Sequence, residues 1–139
     1  MIMSEEEGIF ISIKPHFVDL ILNKRKNYEF RKYIPKKEFK RIYIYETLPK
    51  ARIKYVIEIL KIYIYPQKID IYGVGNEDFN NGNKKSKFAY KLGKIYQLED
   101  EINLKDLKIK YGFVPPQNFS YTSKYKKLTE YINNNLKEM

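Results

Sequence analysis

The segment Arg41-Ile-Tyr-Ile-Tyr45 sets isoleucine on one face of an extended chain and tyrosine on the other, so a strand built from it has two faces to bury. Residues 52–65 follow as a second β-rich run, ended by Pro66 and too long to stay straight without a bend or bulge. A sheet that is apolar on both sides and carries a long bent strand folds as a closed or strongly curved sheet with helices packed outside it. The remaining pattern agrees. Alternating Ile9, Ile11 and Ile13 predict a first strand, and Pro15 with Phe17, Leu20 and Ile21 predicts a short helix over about 15–23. Residues 28–33 and 88–97 read as further strands, the latter with Gly93 as a bulge.

Residues 67–85 carry the Gly and Asn of loops and short helical turns. Leu104 to Leu107 is a helical turn capped by Asn103, and Pro115-Pro116 precedes an extended 117–121. Tyr125, Leu128, Ile132 and Leu136, spaced by three and four, predict a C-terminal amphipathic helix over about 123–137. That helix must bury its stripe against something, and the predicted site is the tyrosine face of 41–45, with Tyr43 and Tyr45 beneath it. The 139 residues therefore read as one α+β domain: a small β-barrel of about five to seven strands, core about 9–121, with short flanking helices and the C-terminal helix.

Absences narrow the chemistry. With no Cys and only His16, the chain holds no thiolate or multi-histidine metal site and no cysteine nucleophile, so neither metal nor cofactor is expected. Gly73-Val-Gly75-Asn-Glu-Asp78 lacks the third glycine and the βαβ setting of a dinucleotide fingerprint. No run approaches the ~18 apolar residues that span a bilayer, and Glu5, Glu6 and Glu7 stand where a secretion signal is basic; the expectation is a cytoplasmic protein without a membrane partner. Nothing in the sequence sets an oligomeric state.

The net charge of +10 is concentrated: residues 24–54 carry twelve Lys/Arg against Glu29, Glu38 and Glu46. Lys24, Arg25, Lys32, Lys36, Lys37, Lys40 and Arg41 form the candidate basic surface, and interleaved Tyr28, Phe30, Tyr33, Tyr43 and Tyr45 offer rings for base stacking. Lysine-rich solvated surface is the plain alternative. Within this stretch Lys24-Arg-Lys26-Asn-Tyr28-Glu29-Phe30-Arg31 is the densest cluster. On a strand Glu29 and Arg31 share a face with Asn27, opposite Tyr28 and Phe30. Facing a cleft, Lys26 and Arg31 would hold a phosphate or polar base edge, while Glu29 accepts from an amino group or orients Arg31; facing water, they are a surface ion pair of little energetic weight.

At this cluster the sequence resembles an ASCH domain of the PUA-like superfamily. Ile11-Ser-Ile-Lys14-Pro15, a short helix, and a turn into Lys26-x-x-Glu29-x-Arg31 are similar to the family's G-x-K-x-x-E-x-R signature. Arg41-Ile-Tyr-Ile-Tyr45, Thr47-x-Pro49, Phe88-Ala-Tyr90 and Pro115-Pro116-Gln117-x-Phe119-x-Tyr121 extend the likeness over most of the chain. The resemblance implies a PUA-like barrel that binds RNA in a cleft. Lys26, Glu29 and Arg31 would line it, Lys14 and Thr47 would lie nearby, and Gln117, Phe119 and Tyr121 would close one side. Two departures stand out. Lys24 replaces the signature glycine, so the turn is expected to place Asn23 or Asn27 at positive φ. Glu29 stands where amidohydrolase members carry a threonine nucleophile, and a carboxylate forms no such alkoxide.

The leading expectation is an RNA-preferring nucleic-acid-binding domain, possible partners being RNA or single-stranded nucleic acid, with regulation of transcription or translation as a downstream role. The alternative is a hydrolase of a modified nucleoside or of RNA, an amidohydrolase or ribonuclease, with Lys26 and Glu29 as its catalytic candidates. A protein-interaction module is the third reading.

Overall fold

A computed structural model describes residues 8–139; Glu5 to Glu7 lie outside the described residues. In chain order the elements are β1 (Gly8–Ile13), α1 (Pro15–Leu22), β2 (Tyr28–Arg31), β3 (Arg41–Glu46), β4 (Arg52–Ile64), α2 (Asn76–Asn80), β5 (Phe88–Asn103), α3 (Leu104–Tyr111), β6 (Ser120–Tyr121), a 3-10 turn (Thr122–Tyr125), α4 (Lys126–Asn134) and β7 (Leu136–Glu138). The strands form one sheet in the order β2-β5-β4-β3-β1-β6, with β7 added to β5. β1 and β3 run parallel and the other pairs antiparallel, giving a curled mixed sheet that makes a half-barrel.

Period-two alternation sorts the core as the sequence predicts. Ile9, Ile11 and Ile13 of β1 and Ile42 and Ile44 of β3 fill one core cluster, together with Val18 and Ile21 of α1. In the second cluster, on the other face, Phe10, Tyr43 and Tyr45 pack with Leu128 and Ile132 of α4, Leu107 of α3 and Phe113. Tyr43 Oη donates to Asn133 Oδ1 at 2.6 Å, tying sheet to helix. These tyrosines are core, as is Tyr28, which packs with Phe79 and Ile69 in a third cluster. Of the rings proposed for base stacking, Tyr28, Tyr43 and Tyr45 are therefore withdrawn from ligand.

The long strands bend through irregular register. Pairing of β4 with β5 shifts between Ile57 and Ile59, where Leu92 and Ile95 bracket one extra β5 residue, so Gly93 does sit in a bulge. A second shift lets Ile53 join the Phe10–Tyr43 core while Tyr55 joins the Ile9–Ile42 one.

Several expected boundaries move. β5 continues to Asn103 because Ile102 and Asn103 still pair with Ile53 and Arg52. The turn after Asn103 is a full helix to Tyr111, closed by Gly112 at φ +63. The C-terminal helix is shorter than its apolar spacing suggests: a 3-10 turn precedes it, it ends at Asn134, and Leu136 pairs with Leu98 in β7. The Asn-Asn-Asn run at 133–135 favours a helix poorly, and the exposed edge of β5 offers its backbone a ladder instead.

No backbone ladder joins β2 to β1 among the described pairings, and side chains bridge that seam. Arg31 Nη2 of β2 donates to the Ser12 carbonyl of β1 at 3.1 Å, and Ser12 Oγ donates to the Pro116 carbonyl at 2.7 Å. Tyr33 Oη donates to the Asn118 carbonyl, and its ring stacks on Phe119 at 5.2 Å. Among the described residues no helix is long and apolar enough to cross a membrane.

Candidate nucleic-acid interface

The turn between α1 and β2 determines where the charged cluster lies. Arg25 and Lys26 amides both donate to the Leu20 carbonyl, wrapping the chain back over the end of α1. The left-handed residue is Lys24 itself, at φ +68, while Asn23 has φ −91. The expectation for Asn23 or Asn27 is thus corrected: the backbone needs positive φ at the signature glycine's own position, and this chain meets it with a lysine. Asn27 accepts from Asn76 Nδ2 at 3.0 Å and donates to the Tyr72 carbonyl at 3.2 Å, which ties the start of β2 to the 72–76 loop.

β2 then sets Glu29 and Arg31 on one face, and the turn brings Lys26 to the same carboxylate. Arg31 binds Glu29 Oε2 through Nε at 2.9 Å and Nη2 at 2.7 Å; Lys26 Nζ lies 3.6 Å from Oε1. Lys26 and Glu29 are only 7% and 6% exposed, so these are not solvated surface charges. Burial, the largest influence, pulls Lys26 below its ordinary value; Glu29 opposes this, and Lys84 and Arg31 reinforce it. Burial raises the Tyr33 hydroxyl, against the pull of Arg31. Tyr90, raised by burial too, donates to the Tyr33 carbonyl at 2.8 Å.

The trio divides by role. Arg31 faces the seam, where it links β2 to β1. Lys26 faces a cavity of about 190 Å³ lined also by Phe17, Glu29, Phe30, Gly75, Lys84 and Ser86. Lys26 Nζ and Lys84 Nζ lie 4.8 and 4.6 Å from the centre of the Phe30 ring. Gly75, at φ +87, is required here: a Cβ would stand 2.9 Å from Phe30 and 3.0 Å from Lys84. Phe17, Val74, Lys84 and Ser86 are the members sequence reasoning missed; Phe17 entered it only through the apolar stripe of α1, and its 38% exposure belongs to the structure.

The other expected residues lie around this centre rather than in it. Lys14 stands at the N-cap position of α1 and is exposed, and the Thr47 amide donates a hydrogen bond to the neighbouring Ile13 carbonyl at 3.1 Å. Gln117 is exposed; Phe119 and Tyr121 stack edge-on to one another and flank the seam. Lys24, Arg25, Lys32, Lys36, Lys37 and Lys40 are exposed. Arg41 lies over the Tyr96 ring at 4.8 Å, and Arg52 is spent on Glu46 and Glu101 at 2.9 and 2.6 Å. Among the described residues no three His, Asp or Glu side chains gather as metal ligands.

This half-barrel, with its parallel β1–β3 pair, has the fold of solved ASCH structures. No family model matches the chain, and no curated protein matches it. Among solved structures, an ASCH protein of Zymomonas mobilis is similar at TM-score 0.66 and 23% identity, over 90% of this chain and 95% of that one. A serine-to-alanine variant of that protein is similar at TM-score 0.65 and 24% identity, over 93% and 99% of the two chains. A tyrosine-to-phenylalanine variant is similar at 0.66 and 22%, over 89% and 97%.

Proposed function

We propose that the chain is an ASCH-type nucleic-acid-binding domain that prefers RNA and takes a phosphate or polar base edge of one nucleotide against Lys26 and Lys84. The observation that carries this reading is the desolvated Lys26 at a cavity wall. A buried ammonium 3.6 Å from a carboxylate already engaged by Arg31 is costly, and an anionic ligand offsets that cost. The exposed lysines at 24, 32, 36 and 37 would track backbone phosphates, and Phe17 and Phe30 would supply the apolar walls for a base.

Glu29 supports binding over hydrolysis, since both its oxygens already face cations. The test is fluorescence anisotropy of labelled single-stranded RNA, single-stranded DNA and duplex RNA across a salt series. Lys26→Met and Lys84→Ala should each weaken RNA binding and lower the salt slope by about one. Unchanged affinity in both variants would remove the cavity from the interface.

A further inference from the structure

A second site lies two strands from Glu29, in register with it through Tyr90, where β4 outruns its partner. β3 pairs with β4 only as far as Arg41 and Glu58, and the Ile59 amide closes that stretch by donating to the Lys40 carbonyl at 2.8 Å. Among the described residues, β4 beyond it has β5 on one side and no strand on the other. The direction of its free groups follows from the ladder. The Tyr65 amide donates to the Lys87 carbonyl, so in the regular stretch after Leu60 the odd-numbered residues bond to β5 and Ile62 and Ile64 turn their amides and carbonyls outward. Gln67 caps Ile64: its side chain accepts from the Ile64 amide at 2.7 Å, and its own amide donates to the Ile64 carbonyl at 2.8 Å. Ile62 is left facing a groove of about 510 Å³, whose far wall is the loop of residues 34–40.

We propose that this groove binds an extended acidic peptide as an added strand. The main chain of such a peptide supplies both the acceptor for the Ile62 amide and the donor for its carbonyl; a phosphodiester backbone supplies acceptors alone. Ile34, Phe39, Leu60 and Ile62 make an apolar wall, with Ile34 and Leu60 substantially exposed, while Lys36, Lys37 and Lys61 outnumber Glu38 at the rim. A strand of alternating apolar and acidic residues meets both, because its side chains point to opposite faces in turn. The Lys40 bond above and the Gln67 cap below limit the addition to about five residues, or ~17 Å of strand. A second copy of this edge would set lysine against lysine, so the occupant is not another copy of this chain.

The probe is a fluorescent, end-blocked hexapeptide alternating valine and aspartate, titrated against the full chain. Saturable binding should shift the Ile62 amide resonance and slow its hydrogen exchange. N-methylating one alternate set of peptide amides should weaken binding about tenfold, and the other set less than twofold. Lys61→Glu should weaken the aspartate peptide and favour a valine–lysine one. No saturable binding, equal loss from both methylated sets, or displacement by single-stranded RNA with the Ile62 amide unmoved would each overturn the proposal. The methylated peptides leave the protein unaltered, so their outcome stands even if a variant fails to fold.

Discussion

Replacing Glu29 by glutamine separates what the charged trio does for the fold from what it does for a ligand. The substitution keeps the shape and one acceptor but removes the negative charge that lies between Lys26 at 3.6 Å and Arg31 at 2.7 Å. Breaking a buried pair in this way costs about 3–5 kcal/mol. Arg31 keeps its bond to the Ser12 carbonyl, which places the loss at the lower end, about 3 kcal/mol. With about 2.1 cal/mol/K of unfolding entropy per residue over 139 residues, Tm should fall by about 10 °C.

The loss should depend on pH. Lys26 already titrates below its unfolded value of 10.5, and without Glu29, which among the described residues is the one anion raising it against burial, Lys84 and Arg31, it titrates lower still. Between the folded and unfolded pKa values the unfolded chain holds more protons at this site, so stability rises with pH there, and the Glu29→Gln deficit shrinks as Lys26 loses its charge. Affinity for RNA should move the other way at pH 7, rising because the cavity gains one net positive charge. Urea titrations monitored by circular dichroism from pH 6 to 10, with anisotropy at pH 7, read both quantities. A stability loss under about 1 kcal/mol would show the trio to be a solvent-screened surface pair and refute the reasoning.

Further expectations concern single positions. Lys24→Gly should stabilise the chain by about 1 kcal/mol in urea melts, because glycine takes the φ of +68 without the steric penalty lysine carries. Lys26→Met keeps the stem beside Phe17 and Phe30 while removing a desolvated charge; stability at pH 7 should hold or rise by up to ~1 kcal/mol, with a flatter slope toward pH 10.5, and RNA affinity should fall. A marked destabilisation of that variant would make Lys26 a structural cation. Tyr43→Phe should cost about 1 kcal/mol by leaving Asn133 without its donor, seen as a lower urea midpoint with unchanged m-value.

Much of the architecture follows from local pattern. Two-residue alternation in β1 and β3 assigns isoleucine to one core and Phe10, Tyr43 and Tyr45 to the other before any partner is known. The same rule places Glu29 and Arg31 on one face, and three-and-four spacing marks the stripe of α4. Where pattern misled, backbone pairing had intervened: Leu136 continues the helical spacing yet joins β5, since a free strand edge rewards the backbone more than another turn of asparagine.

Burial and pairing over long separations belong to the tertiary structure. Twelve basic residues between 24 and 54 look alike in sequence, yet Lys26 is buried against a cavity, Arg52 is consumed by Glu46 and Glu101, and Lys36 remains in water. Lys84 reaches the Phe30 ring only because the turn at Gly75 folds the loop back onto β2, and the uncapped Ile62 edge exists only because β3 stops short of β4. Periodicity specifies which way a side chain faces relative to its own strand; what it meets there depends on register between segments far apart in the chain, which no local pattern encodes.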